Sequence, residues 1–238
     1  MPRLSAVGIS GIYAGEDVKA TIFELKEVCK SYPIHHGKAQ RQVLNKISLK
    51  VREGERWGIL GRNGAGKSTL IRLISGAESP HSGTVKRHRS ISWPLAFGGA
   101  FQGSLTGRDN VRLICRIYNI DFKDCIAFVE DFAELGAYLY EPVKSYSSGM
   151  AARLAFAISM SVEFDCFLID EAMSVGDHRF HEKCNIELFE KRKDRAMIIV
   201  AHQMDLIRDH CDHAAILEKG EITICDTVEQ AVERYGEL

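Results

Sequence analysis

The sequence predicts an α/β fold: a mixed sheet flanked by helices, with an antiparallel β subdomain and an inserted α-helical subdomain. The short apolar run Trp57-Gly58-Ile59-Leu60 breaks into a glycine-rich turn and then the helix-like run Leu70–Ile74. Two further apolar runs, Cys166–Ile169 and Ala196–Ala201, end abruptly at polar residues, as strands buried on both faces do. Between these runs, residues 107–160 read as mostly helical.

The elements follow in order. Residues 1–20 carry little periodicity and read as an N-terminal extension, leaving 21–238 as a single domain. Residues 22–28 alternate as a strand, and so do 43–51, with Val43, Ile47, Leu49 and Val51 expected on one face. Pro33–Gly37 marks a loop between them. The helix after the glycine turn buries Leu70, Ile71, Leu73 and Ile74 and stops near Gly76. A short strand, Thr84–Lys86, follows a Ser82-Gly83 turn. The stretch from Pro94 to Gly107 is glycine-rich and irregular. Thr106 then opens a helix with Asp109 three residues on, a capping-box spacing. A last strand pair, near 214–218 and 221–225, flanks Lys219-Gly220, and 227–235 fits a short amphipathic helix. No internal repeat is present.

Composition narrows the function. A chain of 238 residues, 45% hydrophobic and 26% charged, can build a sizeable core. The net charge of −1 gives no global pull toward nucleic acid or acidic lipid. The cluster Lys86-Arg87-His88-Arg89 reads as a solvated surface. Seven scattered cysteines without a C-x-x-C pair suit reduced, mostly buried thiols. His178 with His181, and His210 with Cys211 and His213, lack a second ligand pair at zinc spacing. No apolar run reaches the ~18 residues of a membrane span, and the first twenty residues have no signal-peptide core. The expectation is a chain whose membrane role, if any, comes through a partner.

Four motifs carry the chemistry. Gly61-Arg62-Asn63-Gly64-Ala65-Gly66-Lys67-Ser68-Thr69 matches the phosphate-binding loop G-x-x-x-x-G-K-[ST] in its strand–turn–helix setting. Its backbone N–H groups and the helix N-terminus suit phosphate. Lys67 supplies charge to the outer phosphates and the Ser68 hydroxyl can ligate Mg²⁺. Second, Tyr146-Ser147-Ser148-Gly149-Met150 precedes a helical run and presents small residues with backbone donors. Third, the run Cys166–Ile169 places Asp170 at a carboxyl edge of the sheet, where it can hold the Mg²⁺ shell, while Glu171 can polarise a water. Fourth, His202 ends the next apolar strand.

With these motifs in this order, the chain resembles the ATP-binding subunit of ABC transporters over roughly residues 21–238. Gly61–Ser68 is similar to Walker A, Ser147-Ser148-Gly149 to the signature motif, and Ile169-Asp170-Glu171 to Walker B. Ser174-Val175-Gly176-Asp177 resembles the D-loop and His202 the switch histidine. Ile91–Pro94, Phe101–Asn110, Tyr146–Met150 and Val175–Asp177 look more narrowly like the ATPases that export capsular polysaccharide, relatives of the O-antigen and teichoic acid exporters.

The resemblance implies a P-loop NTPase core with a helical subdomain at about 95–160, binding ATP and Mg²⁺. It implies that Tyr32 stacks on adenine and that Gly61, Asn63, Gly64, Ala65, Gly66, Lys67, Ser68 and Thr69 hold the phosphates. Glu171, His202 and Lys67 are then the catalytic set, and Ser68 and Asp170 the Mg²⁺ ligands. Gln102 is the candidate for the family's metal-contacting glutamine, although it precedes Asn110 by only eight residues, closer than usual. Two copies sandwich two ATP molecules, with Ser147, Ser148 and Gly149 reaching the nucleotide of the other copy and Asp177 bridging the pair. The further partners are a membrane permease and other capsule export proteins, at the cytoplasmic face of the inner membrane. Tyr146, Ser148 and Met150 depart from the common signature Leu-Ser-Gly-Gly-Gln. The alternatives are an O-antigen or teichoic acid exporter ATPase, a non-transport ABC ATPase, and a regulatory module that binds ATP without hydrolysing it.

Overall fold

Strand pairing over long sequence distances organises the chain. A computed structural model describes residues 19–34, 39–95, 101–170 and 178–238. Among these, β1 (Thr21–Ile34) pairs antiparallel with β2 (Ala39–Arg52) on one side and with β4 (Ser82–Arg87) on the other. A second, six-stranded sheet also contains β3 (Arg56–Leu60), β5 (Ile91–Pro94), β6 (Cys166–Asp170), β7 (Ala196–Ala201), β8 (His213–Glu218) and β9 (Glu221–Cys225). Its order is β5-β6-β7-β3-β8-β9, parallel throughout except for the antiparallel β9. The expected mixed sheet and antiparallel subdomain are both present.

The continuous apolar runs have a direct cause. Cys166 and Leu168 of β6 face a core shared with the antiparallel sheet and with α1 (Lys67–Ser75). Phe167 and Ile169 face the opposite core, formed with the remaining helices. Successive side chains alternate faces, so a strand covered on both sides must be apolar at every position. Each fully buried Leu, Ile or Phe contributes about 1.5–3 kcal/mol relative to exposure.

The helical subdomain comprises α2 (Gly107–Tyr118), α3 (Phe122–Ala133) and α4 (Ser148–Met160), with two short 3₁₀ turns between the last two. The Thr106 hydroxyl accepts the Asp109 N–H at 3.0 Å and donates to the Asp109 carboxylate at 2.8 Å, as the capping spacing predicted. α1 ends at Gly76 with φ 87°, also as expected. α5 (His178–Asn185), which runs into a π-helical turn at Ile186–Glu190, and α6 (Met204–His210) were not anticipated. Both are too short to carry a full amphipathic repeat. α7 (Val228–Gly236) closes the described chain.

Three expectations need correction. β1 continues through Pro33 and Ile34, which were read as loop, because both residues pair with β2. On β2 the core residues are Leu44, Ile47, Leu49 and Val51, and Val43 is only half-buried. The register is irregular there and Lys46 has φ 50°, so an extra residue switches the inward phase between Leu44 and Ile47. Arg87 does not simply point into solvent: its guanidinium donates to the carbonyls of Leu73 and Ile74, at 2.7 Å for Ile74. It thereby satisfies the last turn of α1 and opposes its negative dipole end.

Candidate nucleotide-binding site

The sheet order brings distant motifs together. β6, β7 and β3 lie side by side, with Asp170 opposite Val200 and Ala201 opposite Leu60. Asp170, His202 and Gly61 therefore occupy adjacent carboxyl ends of parallel strands, the edge where α/β sheets place ligands.

At that edge is a cleft of about 440 Å³. The phosphate loop and the start of α1 form its floor, through Asn63, Gly64, Gly66, Lys67, Ser68 and Thr69, and Asp170 stands in the wall. Gly66 begins α1 with φ 112°, and a Cβ there would approach Leu44 Cδ2 to 2.8 Å and the Val43 carbonyl to 3.0 Å. Only glycine combines that backbone angle with so close a pass beneath β2. Lys67 is buried, and its Nζ donates to the Gly61 carbonyl at 2.6 Å. The loop is thus closed by its own lysine, with the α1 N-terminal amides opening on the cleft.

The antiparallel subdomain supplies the opposite wall. Tyr32 and Ile34 of β1 and Arg41 and Val43 of β2 line it, and Tyr32 sits directly across the strand pair from Arg41. Of these only Tyr32 was anticipated. Ile34, Arg41 and Val43 carry no local motif; an alternating strand near a phosphate loop was the one available signal. The Tyr32 hydroxyl donates to Glu78 at 2.6 Å. That hydrogen bond first, then Lys30 and Arg72, holds the Glu78 carboxyl down to about 2 against the effect of burial.

The remaining expected residues fall into separate groups. Gly61 opens the loop, and Ala65 within it lines an adjoining opening with Leu217 and Lys219. Ser147 and Ser148 are exposed at the start of α4, where the Ser147 hydroxyl caps the Met150 N–H at 3.3 Å. Neither they nor Gly149 are among the residues lining the cleft. Gln102 is exposed and also outside that lining. Its backbone, not its side chain, is gripped: the buried Asn110 side chain accepts the Gln102 N–H at 3.0 Å and donates to its carbonyl at 3.2 Å. Glu171 and Asp177, with Ser174, Val175 and Gly176, lie outside the described residues.

Ser68 and Asp170 together offer a hydroxyl and a carboxylate to the cleft, a hard-oxygen donor pair that suits Mg²⁺. A glycine loop closing on a buried lysine, at the carboxyl edge of a parallel sheet and with that donor pair beside it, defines a P-loop nucleotide-binding protein.

Comparison with known proteins is more specific. Residues 44–174 match the ABC transporter family model, and the chain belongs to that family. It is 59% identical over 217 residues to the capsule polysaccharide export ATP-binding protein CtrD of Neisseria meningitidis, covering 91% of this chain and 100% of that one. It is 56% identical over 216 residues to the ATP-binding protein BexA of Haemophilus influenzae, covering 91% and 99%. The polysialic acid transport ATP-binding protein KpsT of Escherichia coli is 39% identical, covering 90% and 96%. Among solved structures, a dimeric ATP-binding cassette bound to ADP and Pi superposes with a TM-score of 0.73 at 21% identity, covering 87% of this chain and 98% of that one. The chain is an ATP-hydrolysing subunit of an ABC exporter. No helix among the described residues is long and apolar enough to cross a membrane.

Proposed function

We propose that this chain is the motor that drives capsular polysaccharide export, working as a homodimer beneath a membrane permease at the cytoplasmic face of the inner membrane. The observation that carries the substrate class is the 59% identity to CtrD along that protein's whole length. The teichoic acids export ATP-binding protein TagH of Bacillus anthracis is 39% identical over a shorter stretch of this chain, 82% against 91% for CtrD, which favours the capsule reading.

ATP enters the cleft with its base against Tyr32 and its triphosphate in the loop. Lys67 and the α1 amides neutralise the outer phosphates, which is most of what phosphoryl transfer requires. Ser68 and Asp170 would hold Mg²⁺, which would supply charge screening for the phosphates. Glu171 takes a proton from the water that attacks the γ-phosphorus, the bond to the β–γ bridging oxygen breaks, and ADP and phosphate result. His202 holds the γ-phosphate. Ser147, Ser148 and Gly149 cover the nucleotide of the second copy and Asp177 bridges the two. What supports a reading in trans is their position at the exposed start of α4, away from their own cleft.

The test is complementation. In Neisseria meningitidis lacking CtrD, this chain is expected to restore surface capsule and to co-purify with the permease. Stable expression with capsule retained inside the cell, and no co-purified permease, would overturn the proposal.

A further inference from the structure

Glu78 lies beyond the end of α1, in no motif, yet both of its carboxylate oxygens are engaged. Oε2 accepts the Tyr32 hydroxyl at 2.6 Å and the Lys30 ammonium at 3.0 Å. Oε1 accepts Arg72 Nη1 at 3.2 Å. Arg72 belongs to α1, the helix whose first residues line the phosphate end of the cleft, whereas Lys30 and Tyr32 belong to β1 at its far wall. Lys30 is itself buried, donates to the Ser79 carbonyl at 2.8 Å and lies over one face of the Tyr32 ring, 5.3 Å from its centroid. One carboxylate therefore ties the aromatic ring, the cation covering one of its faces and the phosphate-loop helix into a single unit.

We infer that Glu78 is a positioning residue for nucleotide binding: it fixes the Tyr32 ring, through its hydroxyl, as the platform on which the purine stacks. Tyrosine is rotatable about two side-chain bonds, and β1 alone does not set the ring plane. The charge-assisted bond at 2.6 Å anchors the hydroxyl end of the ring, and Lys30, held by the same carboxylate, bounds one face and so its tilt; stacking is sensitive to both. Lys30 occupies one face, and the base takes the other. The inference rests on the reading of Tyr32 as the base-stacking residue, so the experiment separates the two.

The experiment titrates the full chain calorimetrically with ATP and with inorganic tripolyphosphate, both with Mg²⁺, and takes the ratio of the two affinities. Tripolyphosphate fills the loop but has no base. Tyr32→Ala is expected to weaken ATP about tenfold or more, the scale of base–aromatic stacking, and to leave tripolyphosphate unchanged. Tyr32→Phe and Glu78→Ala are each expected to weaken ATP about three- to tenfold, on the scale of the net contribution of one ordinary hydrogen bond, because the contact acts on the base only through the ring. The double variant should bind ATP no worse than either single one, because both remove the same contact. If Tyr32→Ala lowers the ratio while Tyr32→Phe and Glu78→Ala keep it at the wild-type value, the positioning role is overturned and Tyr32 stands. If Tyr32→Ala itself leaves the ratio unchanged, the reading of Tyr32 falls. An equal loss for both ligands in Glu78→Ala and Tyr32→Phe would make the network merely structural and would also overturn the inference.

Discussion

Lys67 Nζ lies 2.6 Å from the Gly61 carbonyl oxygen, so the ammonium proposed to serve the phosphates is already held inside its own glycine loop. The ammonium is buried and pre-positioned rather than recruited from solvent. Lys67→Ala removes that charge together with the bond closing the loop. ATP affinity should fall about 10- to 100-fold, the range for one hydrogen bond to a charged group, as read by calorimetry. Wild-type affinity in this variant would remove Lys67 from the binding set.

Glu171→Gln keeps the shape of the side chain and removes its basicity. A general base contributes about 10²–10⁴-fold, so phosphate release should drop by that factor while ATP still binds. Hydrolysis at the wild-type rate would show that another group accepts the proton.

Ser147 caps the exposed start of α4 and does not line the chain's own cleft, so on the proposed arrangement in trans a long cation there obstructs only the second copy. Ser147→Arg should therefore abolish the ATP-dependent dimer in light scattering and leave the affinity of the monomer for ATP unchanged. A dimer that persists in ATP would contradict the arrangement in trans.

Gly107 lets Tyr146 and Leu139 pack closely against the start of α2. A Cβ at this position would lie 2.5 Å from the Tyr146 hydroxyl and 2.9 Å from Leu139 Cδ1. The Tyr146 hydroxyl in turn donates to the Tyr138 carbonyl at 2.5 Å. Gly107→Ala should destabilise the chain by about 1–3 kcal/mol, the usual cost of overpacking, in a denaturant melt. Adding Tyr146→Phe should recover part of the loss, because it removes the nearest atom. A double variant as unstable as the sum of both singles would argue that the clash lies elsewhere.

His210 stacks on Phe189 with ring centroids 3.7 Å apart, and burial pushes its pKa below the usual value of 6.5. Below pH 6.5 the unfolded chain binds a proton that the folded chain resists, so stability falls as pH drops through that window. Glu78 adds a loss at lower pH, since its stabilisation is complete above pH 4.5 and disappears as pH falls toward about 2. Urea melts from pH 8 to pH 5 should show declining stability, and His210→Phe, which keeps an aromatic ring in the stack, should flatten the decline. An unchanged slope in that variant would assign the effect to other groups.

The legible parts of the fold were those coded by contiguous residues. Cys166–Ile169 and Ala196–Ala201 declared themselves because strands covered on both faces admit no polar position. Thr106 and Asp109 satisfied each other as their spacing required. The phase of β2 was misread because a positive φ at Lys46 is no property of alternation. Arg87 was assigned to solvent because nothing local announces that α1 ends beside it.

By itself, then, the sequence determined that a glycine-rich loop closed by a lysine sits between a strand and a helix. Gly61–Thr69 is a local device whose chemistry survives any tertiary setting that leaves a strand before it and a helix after. The tertiary structure decided which residues complete the pocket. Ile34, Arg41 and Val43 meet the loop only because β1 and β2 dock beside it, and those contacts span sequence separations that no periodicity reports. It also placed the start of α4 away from its own cleft, since the helical subdomain's packing fixes which way that helix end faces.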